Sequence, residues 1–258
     1  MRAMAIAAHA APLSLPARPE ATGGRRIGVL LSHGFTSGPS SMRPWGEALG
    51  ARGYAVEVPR LPGHGTTWQE LNRTRWEDWY AEVTRAFDRL RGQTDAVVVG
   101  GLSMGGGLVL RLAADRPAEV AGLALVNPAV NIDRKDVKLL PVLKHVVPSF
   151  SAIGNDIKKA GVVEDAYSRT PLKAADSMLK GYKSLRADLA SITSPILVFR
   201  SVEDHVVDPS SARIIASSVS SRDYEERLLE DSYHVATQDN DAERIFTESA
   251  EFISRVTA

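Results

Sequence analysis

Short apolar runs alternate with amphipathic helical patterns along most of the chain. The runs predict six strands, at residues 27–32, 54–59, 95–101, 120–127, 195–201 and 224–230. Most of them carry Val, Ile and Leu at successive positions, as strands buried between two layers of helices do. The last run, YEERLLE, is more polar and suits the edge of a sheet.

Helical patterns separate these strands. They fall at about residues 41–52, 74–90, 104–115, 208–218 and 241–256. In the second pattern, large apolar side chains recur at helical spacing, at Trp76, Trp79, Tyr80, Val83, Phe87 and Leu90. We interpret this stripe as core packing rather than as a ligand platform. Alternating strands and helices predict the α/β class, with a mostly parallel sheet covered by helices on both faces.

One connection is too long for a single crossover. About 67 residues separate the strand that ends at Asn127 from the strand that starts at Pro195. We predict a small inserted cap at 128–171 and a crossover helix at 173–190. The core then comprises residues 25–127 and 172–258, and the cap lies at the carboxyl end of a strand, where open α/β sheets bind ligands.

Residues 1–24 form a lead-in that we expect to be poorly ordered. Arg2 and the Ala-rich stretch after it have some similarity to a signal peptide, but His9 and Pro12 interrupt the apolar run. We therefore expect a cytoplasmic protein, with export through this segment as the alternative.

Composition excludes several classes of function. The 258 residues include 31 Lys and Arg against 31 Asp and Glu, so nucleic acid is a poor candidate partner. No apolar run approaches the roughly 18–20 residues that span a bilayer. Cysteine is absent, which rules out disulfides, thiolate zinc sites and a cysteine nucleophile.

The strongest local motif is Gly101-Leu102-Ser103-Met104-Gly105, which fits G-x-S-x-G between a predicted strand and a predicted helix. This context is that of a nucleophile elbow, a tight turn that presents a serine hydroxyl clear of the sheet. Glycine stands two residues before and after the serine because a side chain there would collide with neighbouring backbone. Ser103 is therefore the candidate nucleophile.

A serine hydroxyl needs a base to accept its proton. In this architecture an acid and then a histidine follow the nucleophile in the chain, from later strands. His234 lies in the loop after the last predicted strand and is the leading candidate for the base.

The acid is expected in the cluster VEDHVVD, residues 202–208, directly after a predicted strand. Asp208 precedes Pro209 and reads as a helix N-cap. A metal site is disfavoured because no second histidine stands at ligand spacing from His205. Glu203 and Asp204 remain as candidates to orient His234.

The chain resembles the α/β-hydrolases, and among them the bacterial monoacylglycerol lipases and the small thermostable carboxylesterases. The segments that carry the similarity are LLSHGFTSGPSSMRPW, VPRLPGHGTTWQELNRTRWEDW, GLSMGGGL, SVEDHVVDP and SYHVAT. The resemblance implies the α/β-hydrolase fold and selects Asp204 as the acid, three residues beyond its strand. It also implies an oxyanion hole formed by the backbone N–H groups of Phe35 and Met104, whose side chains would line an acyl pocket.

The resemblance further points to Glu164, rather than its neighbour Asp165, as a contact for glycerol hydroxyls. It places His33 and His64 in loops, where we interpret both as hydrogen-bonding braces and not as proton-transfer groups. His205 is adjacent to Asp204 in sequence, which is the wrong geometry for the base, so we expect a surface or bracing role.

These observations predict a serine hydrolase that cleaves carboxylic esters through an acyl-enzyme, with monoacylglycerol lipase as the favoured activity. The expected substrate is a small lipid or ester, with transient contact with lipid surfaces, and no metal or organic cofactor is required. The alternatives are a general carboxylesterase, a serine C–C hydrolase, or a ligand-binding protein with this fold and little turnover.

Overall fold

The computed structural model describes residues 10–133, 139–152 and 154–258. The strands are β1 (Leu13–Leu15), β2 (Ile27–Ser32), β3 (Ala55–Val58), β4 (Ala96–Leu102), β5 (Gly122–Val126), β6 (Ser149–Ser151), β7 (Arg169–Pro171), β8 (Ile196–Ser201) and β9 (Tyr224–Leu229). The helices are α1 (Arg43–Ala51), α2 (Trp68–Leu71), α3 (Trp76–Arg91), α4 (Met104–Asp115), α5 (Leu140–Leu143), α6 (Leu172–Asp188), α7 (Ser210–Ser218) and α8 (Ala242–Val256).

Seven of these strands form the main sheet, in the order β1-β3-β2-β4-β5-β8-β9. All neighbouring pairs are parallel except β1 and β3. The chain runs from β2 outward to β3 and then returns to the other side of β2 as β4. Since successive connections leave in opposite directions, the carboxyl ends of β2 and β4 border a crevice, which is the usual ligand site of such sheets.

Both faces of the sheet are buried, in alternation along each strand. Leu30, Val99 and Leu125 lie in the core that α3, α4, α6 and α7 cover. Their sequence neighbours Leu31 and Val98 lie in the opposite core, against α1 and α8. Successive apolar residues in the sequence therefore reflect two helical layers, as predicted.

The aromatic stripe of α3 packs as expected. Trp76, Trp79 and Phe87 are buried in the core, and Tyr80 is half-buried against it, with its hydroxyl donating to Asp115. The predicted strand and helix boundaries differ from the observed ones by one or two residues at most of the ends.

The lead-in differs from the prediction of poor order. Leu13–Leu15 pairs antiparallel with β3, with Leu13 opposite Val58. The leucine side chains lie over α1 at Gly46 and Gly50, where a Cβ atom would collide with them. Apolar contact and backbone pairing thus hold this segment. The first nine residues of the predicted lead-in lie outside the described residues.

Residues 128–171, which we term the cap segment, contain α5 and a two-stranded antiparallel sheet of β6 and β7. Tyr167 ties the cap segment to the core: its N–H donates to Thr36 O at 3.0 Å, and its hydroxyl donates to Gly63 O at 2.8 Å. The crossover helix α6 starts directly after β7. Within the part of the chain that the structure describes, no helix is long and apolar enough to cross a membrane.

The packing of α6 on α3 predicts that Gly181→Ala destabilises the fold. A Cβ atom at Gly181 would lie 2.5 Å from Cγ of Trp76, a buried ring held edge-on by Tyr182. Alanine gains about 1 kcal/mol of helix propensity, but overpacking costs roughly 1–3 kcal/mol. Because contact this close with a buried ring falls in the upper part of that range, at about 2–3 kcal/mol, we expect the free energy of unfolding to fall by about 1–2 kcal/mol net, measured by urea titration.

Gly92→Ala is the matched control. Gly92 ends α3 with φ −71°, and an added Cβ would meet nothing closer than 3.6 Å. Its free energy of unfolding should stay level or rise by up to about 1 kcal/mol. A Gly181→Ala protein as stable as the parent would contradict the packing argument.

Candidate active site

Ser103 occupies a strained turn between β4 and α4. Its φ of 55° and ψ of −119° lie outside the regions that L-residues favour. The turn is held by the main chain of Ser103: its N–H donates to Val126 O at 3.1 Å, and its carbonyl accepts from Ala129 N–H at 3.0 Å. The side chain therefore stands at the carboxyl edge of the sheet, at the positive end of α4.

Two glycines make this turn possible. A Cβ atom at Gly101 would lie 2.6 Å from the nitrogen of Gly106, and one at Gly105 would lie 2.6 Å from the carbonyl oxygen of His33. Gly106 belongs to α4, and His33 directly follows β2 and is fully buried, so neither backbone can move aside. The collision that the G-x-S-x-G spacing predicts is thus present on both sides of Ser103.

His234 and Asp204 form a buried pair. Nδ1 of His234 lies 2.8 Å from Oδ2 of Asp204, and both side chains are less than a tenth exposed. A carboxylate only accepts, so Nδ1 carries the proton and Nε2 of the neutral ring is left as an acceptor. Oδ1 of Asp204 accepts the N–H groups of Val206 and Val207, both at 2.8 Å, which fixes the carboxylate in place.

Burial and charge act against each other at this pair. Burial disfavours the imidazolium, but the hydrogen bond and charge of Asp204, with the charges of Glu164 and Asp156, raise the pKa of His234 above its ordinary value. Burial likewise disfavours the carboxylate of Asp204. The bond from His234 and the two backbone N–H groups outweigh it and lower the pKa of Asp204. The pair therefore favours an ionised acid beside a basic imidazole.

Asn127, at the end of β5, supports the loop of His234 and is a residue that sequence reasoning missed. Its side-chain amide donates to His234 O at 2.8 Å and to Ser201 Oγ at 2.9 Å, and its Oδ1 accepts from Ser201 N–H at 2.8 Å. Asn127 is buried and has a positive φ of 42°. A buried polar residue at the carboxyl end of a strand was the available signal.

The loop after β2 approaches the serine closely. A Cβ atom at Gly34 would lie 3.6 Å from Cβ of Ser103. The N–H of Phe35 has no acceptor among the described residues, and the N–H of Met104 has none within α4 because it begins the helix. Phe35 follows Gly34 and Met104 follows Ser103, so both free donors belong to the segments that meet at this contact.

The side chains of Phe35 and Met104 lie differently with respect to the cavity at Ser103. Phe35 lines the cavity at Ser103. Met104 does not line it among the described residues, and its side chain is fully buried in the core beneath α3. The expectation that Met104 contacts the acyl chain is therefore corrected: the turn that points Ser103 outward directs the next side chain inward.

His33 and His64 are buried braces. Nε2 of His33 accepts from Leu61 N–H at 3.2 Å, and its Nδ1–H donates to Gly34 O at 2.9 Å. Burial lowers the pKa of His33 to about 4 and that of His64 well below its ordinary value. Both rings stay neutral at pH 7, which agrees with a bracing role.

A cavity of about 390 Å³ joins these groups. Ser103 and His234 lie on its wall, and apolar residues from the cap segment and α6 form much of the rest, among them Leu140, Leu143, Met178 and Leu179. Asn155, Asp156 and Glu164 add polar groups on the cap side. The cavity thus combines an apolar body with a few polar groups, as ligand sites do.

The other members of VEDHVVD have separate roles. Asp208 accepts from Ser210 N–H at 2.7 Å, but α7 begins two residues later than predicted and Pro209 is its N-cap. His205 binds Asp156 and lies 3.2 Å from Glu203. No cluster suited to a metal ion occurs among residues 10–133, 139–152 and 154–258.

The pair predicts that Asp204→Asn lowers the pKa of His234. Asparagine removes the charge that favours the imidazolium, whereas Asp208→Asn removes a carboxylate that bonds Ser210 instead. We expect the titration of the His234 imidazole, followed by ¹H–¹⁵N NMR, to move to lower pH only in Asp204→Asn. An unchanged midpoint in that variant would contradict the assigned pairing.

Comparisons with known sequences agree with this geometry. The Hydrolase_4 family model, described as Serine aminopeptidase, S33, matches residues 24–241. The thermostable monoacylglycerol lipase of Bacillus sp. strain H-257 is 40% identical over 89% of this chain and 91% of that protein. The carboxylesterase of Bacillus subtilis strain 168 is 27% identical over 88% of this chain and 92% of that protein.

Solved structures extend the comparison. A metagenome-derived lipolytic enzyme from work on LipS and LipT superposes with a TM-score of 0.92 at 37% identity, covering 97% of this chain and all of that one. The monoacylglycerol lipase of Paleococcus ferrophilus has a TM-score of 0.77 at 18% identity over 95% of this chain and 98% of that one, a likeness of fold alone. The predicted α/β-hydrolase fold is confirmed, and the chain belongs to the Hydrolase_4 family of α/β-hydrolases.

Proposed function

We propose that the protein is a serine hydrolase of carboxylic esters, with monoacylglycerols as its preferred substrates. The observation that carries the proposal is that Ser103, on a nucleophile elbow, shares one cavity with His234, whose ring is held by Asp204. Two relatives that match most of the chain, a monoacylglycerol lipase and a carboxylesterase, support ester cleavage.

In this mechanism Ser103 attacks the ester carbonyl while Nε2 of His234 accepts the hydroxyl proton. The tetrahedral intermediate collapses as His234 returns the proton to the departing alcohol, which leaves an acyl-enzyme. A water molecule, activated by His234, then releases the fatty acid. Asp204 keeps the ring in the required tautomer and stabilises the imidazolium at each step.

The N–H groups of Phe35 and Met104 would bind the developing oxyanion. This role is supported by their place in the two segments that meet at Ser103 and by their lack of acceptors within their own loop or helix. Such donors act most strongly because they are fixed before the charge develops. In this role the main chain, and not the Met104 side chain, contributes to the reaction.

The cavity supports a monoacylglycerol. Its apolar wall of cap and α6 side chains suits an acyl chain, and Glu164 on the cap side suits the hydroxyls of a glycerol. Glu164 is positioned by Asn155, whose side-chain oxygen accepts from its N–H at 2.8 Å. The runner-up, a general carboxylesterase, uses the same catalytic groups and differs only in lacking this preference.

The surface around the cavity supports transient contact with lipid. Large apolar side chains of the cap segment are exposed, at Leu139, Val142, Val146, Phe150 and Val163. Leu139 and Phe150 also line the cavity. An apolar rim of this kind suits an enzyme that takes its substrate from a lipid surface.

The proposed role of Ser103 as nucleophile can be tested by its removal. Ser103→Ala should lower kcat for p-nitrophenyl esters by about 10⁴–10⁶, because no other group can form the acyl-enzyme. Ser217→Ala is the control, since Ser217 lies exposed on α7. Retention of most activity by Ser103→Ala would contradict the assignment of Ser103 as the nucleophile.

The same assay separates an enzyme from a ligand-binding protein. A folded parent protein that hydrolyses p-nitrophenyl esters of no acyl length would favour the ligand-binding protein.

The second prediction concerns the alcohol moiety. Glu164→Ala should lower kcat/KM for monoacylglycerols more than for ethyl esters of the same acyl chain, because only the former present free hydroxyls. Asp165→Ala is the control: its exposed side chain is not among the described residues of the cavity wall. Equal losses on both substrates in Glu164→Ala would remove the glycerol contact and leave the general carboxylesterase.

A further inference from the structure

Asp156, in the cap segment, contacts the loops of both Asp204 and His234. Its Oδ2 accepts the N–H of His205 at 3.1 Å and the N–H of His234 at 3.2 Å. Its Oδ1 lies 2.7 Å from Nδ1 of His205, which must carry the proton because a carboxylate only accepts. Its backbone carbonyl accepts from Val235 N–H at 3.1 Å.

These contacts bear on the geometry of the catalytic pair. His205 directly follows Asp204. The same carboxylate oxygen of Asp156 therefore binds both the neighbour of the acid and the base, His234. We term the loop of Asp204 the acid loop and the loop of His234 the base loop. The distance between these two loops therefore depends on Asp156, an acceptor that both of them share and that belongs to the cap segment. Its side chain is only about a tenth exposed, so the bonds are shielded from water.

Attachment of the cap segment does not by itself require Asp156. Asp239 already fixes the neighbouring residues: its carboxylate accepts the N–H groups of Lys158 and Lys159, at 2.7 and 2.8 Å, and that of Tyr233 at 2.9 Å. Asp239 thus joins the cap segment to the base loop. What Asp156 adds is the acid loop, which Asp239 does not contact among the described residues.

We propose that Asp156 is a positioning residue, through which the cap segment holds Asp204 and His234 at their working separation. This inference rests on the proposed function, since it assigns the pair to proton transfer. It makes the cap segment part of the catalytic geometry as well as a wall of the substrate cavity.

The charge of Asp156 gives the role a distinct signature. Three carboxylates face His234, those of Asp204, Glu164 and Asp156, and each favours its protonated form. His205 faces Asp156, Glu203 and the ring of Tyr233. Removing the charge of Asp156 should make the imidazolium of His234 less favourable. The acidic limb of the kcat/KM profile, where His234 loses its function as a base, should then move to lower pH.

The experiment measures kcat, KM and the pH profile with p-nitrophenyl esters in three variants. Asp156→Ala should lower kcat about 10–100-fold, as small displacements of reacting groups do, while KM changes by less than about threefold. Asp156→Asn has the same shape and keeps one acceptor oxygen, which can serve the N–H groups of His205 and His234 while its NH2 group faces Nδ1 of His205 in the other tautomer. It should lose less kcat but show the acidic limb at lower pH. Glu203→Gln is the control, because it removes a carboxylate near His205 that does not contact His234 among the described residues. It should leave kcat and the position of the acidic limb unchanged.

The outcomes separate the possibilities. Parent-like kcat in Asp156→Ala, or an unmoved acidic limb in Asp156→Asn, would overturn the positioning role, and so would a loss confined to KM. If Asp156→Ala does not fold, as judged by thermal unfolding, the pH profile of Asp156→Asn decides alone. Ser103→Ala, assayed in parallel, separates a failure of the proposed function from a failure of the positioning role. An active Ser103→Ala refutes the proposed function. An inactive Ser103→Ala together with parent-like Asp156 variants refutes only the positioning role.

Discussion

The site depends on how closely the first turn of α4 approaches the end of β2. A Cβ atom at Gly105 would meet the carbonyl carbon of Ser32 at 2.5 Å, so this contact exists only because glycine stands there. The approach brings the loop of Gly34 and Phe35 beside Ser103. Nucleophile, backbone donors and one end of the cavity are thereby assembled from two neighbouring strands before the rest of the chain contributes. Later strands then bring the acid and the base to the same edge.

Sequence reasoning succeeded where the signal is local. Apolar runs predict the strands because each buried strand must be apolar on both faces, and the glycine spacing predicts the elbow because steric exclusion acts over a few residues. The fold and the family followed from these signals and are confirmed by the matches over most of the chain. The roles of Ser103, Asp204 and His234 remain proposals that the geometry supports.

The signal was insufficient where contacts join distant residues. Asn127 binds His234 across 107 positions, and Asp156 binds it across 78. Aspartate and asparagine are common in loops, so nothing in their local sequence marks these two as supports of a catalytic pair. The side chain of Met104 was misplaced for a related reason. A motif specifies the backbone of a turn, but the packing around the turn decides where each side chain points.

The short strand β1 has a consequence for α1. Glycine within a helix costs about 1 kcal/mol relative to alanine, and α1 contains Gly46 and Gly50 one turn apart. The absence of side chains at Gly46 and Gly50 leaves a groove in which Leu13 and Leu15 pack. The helix is therefore intrinsically less stable, and the apolar contact with β1 offsets this loss. Removal of the lead-in would leave that groove empty and would expose the backbone groups of β3 along the sheet margin. Unpaired margins of this kind recruit other chains. The pairing of β1 thus covers a side of β3 that would otherwise be open to another strand.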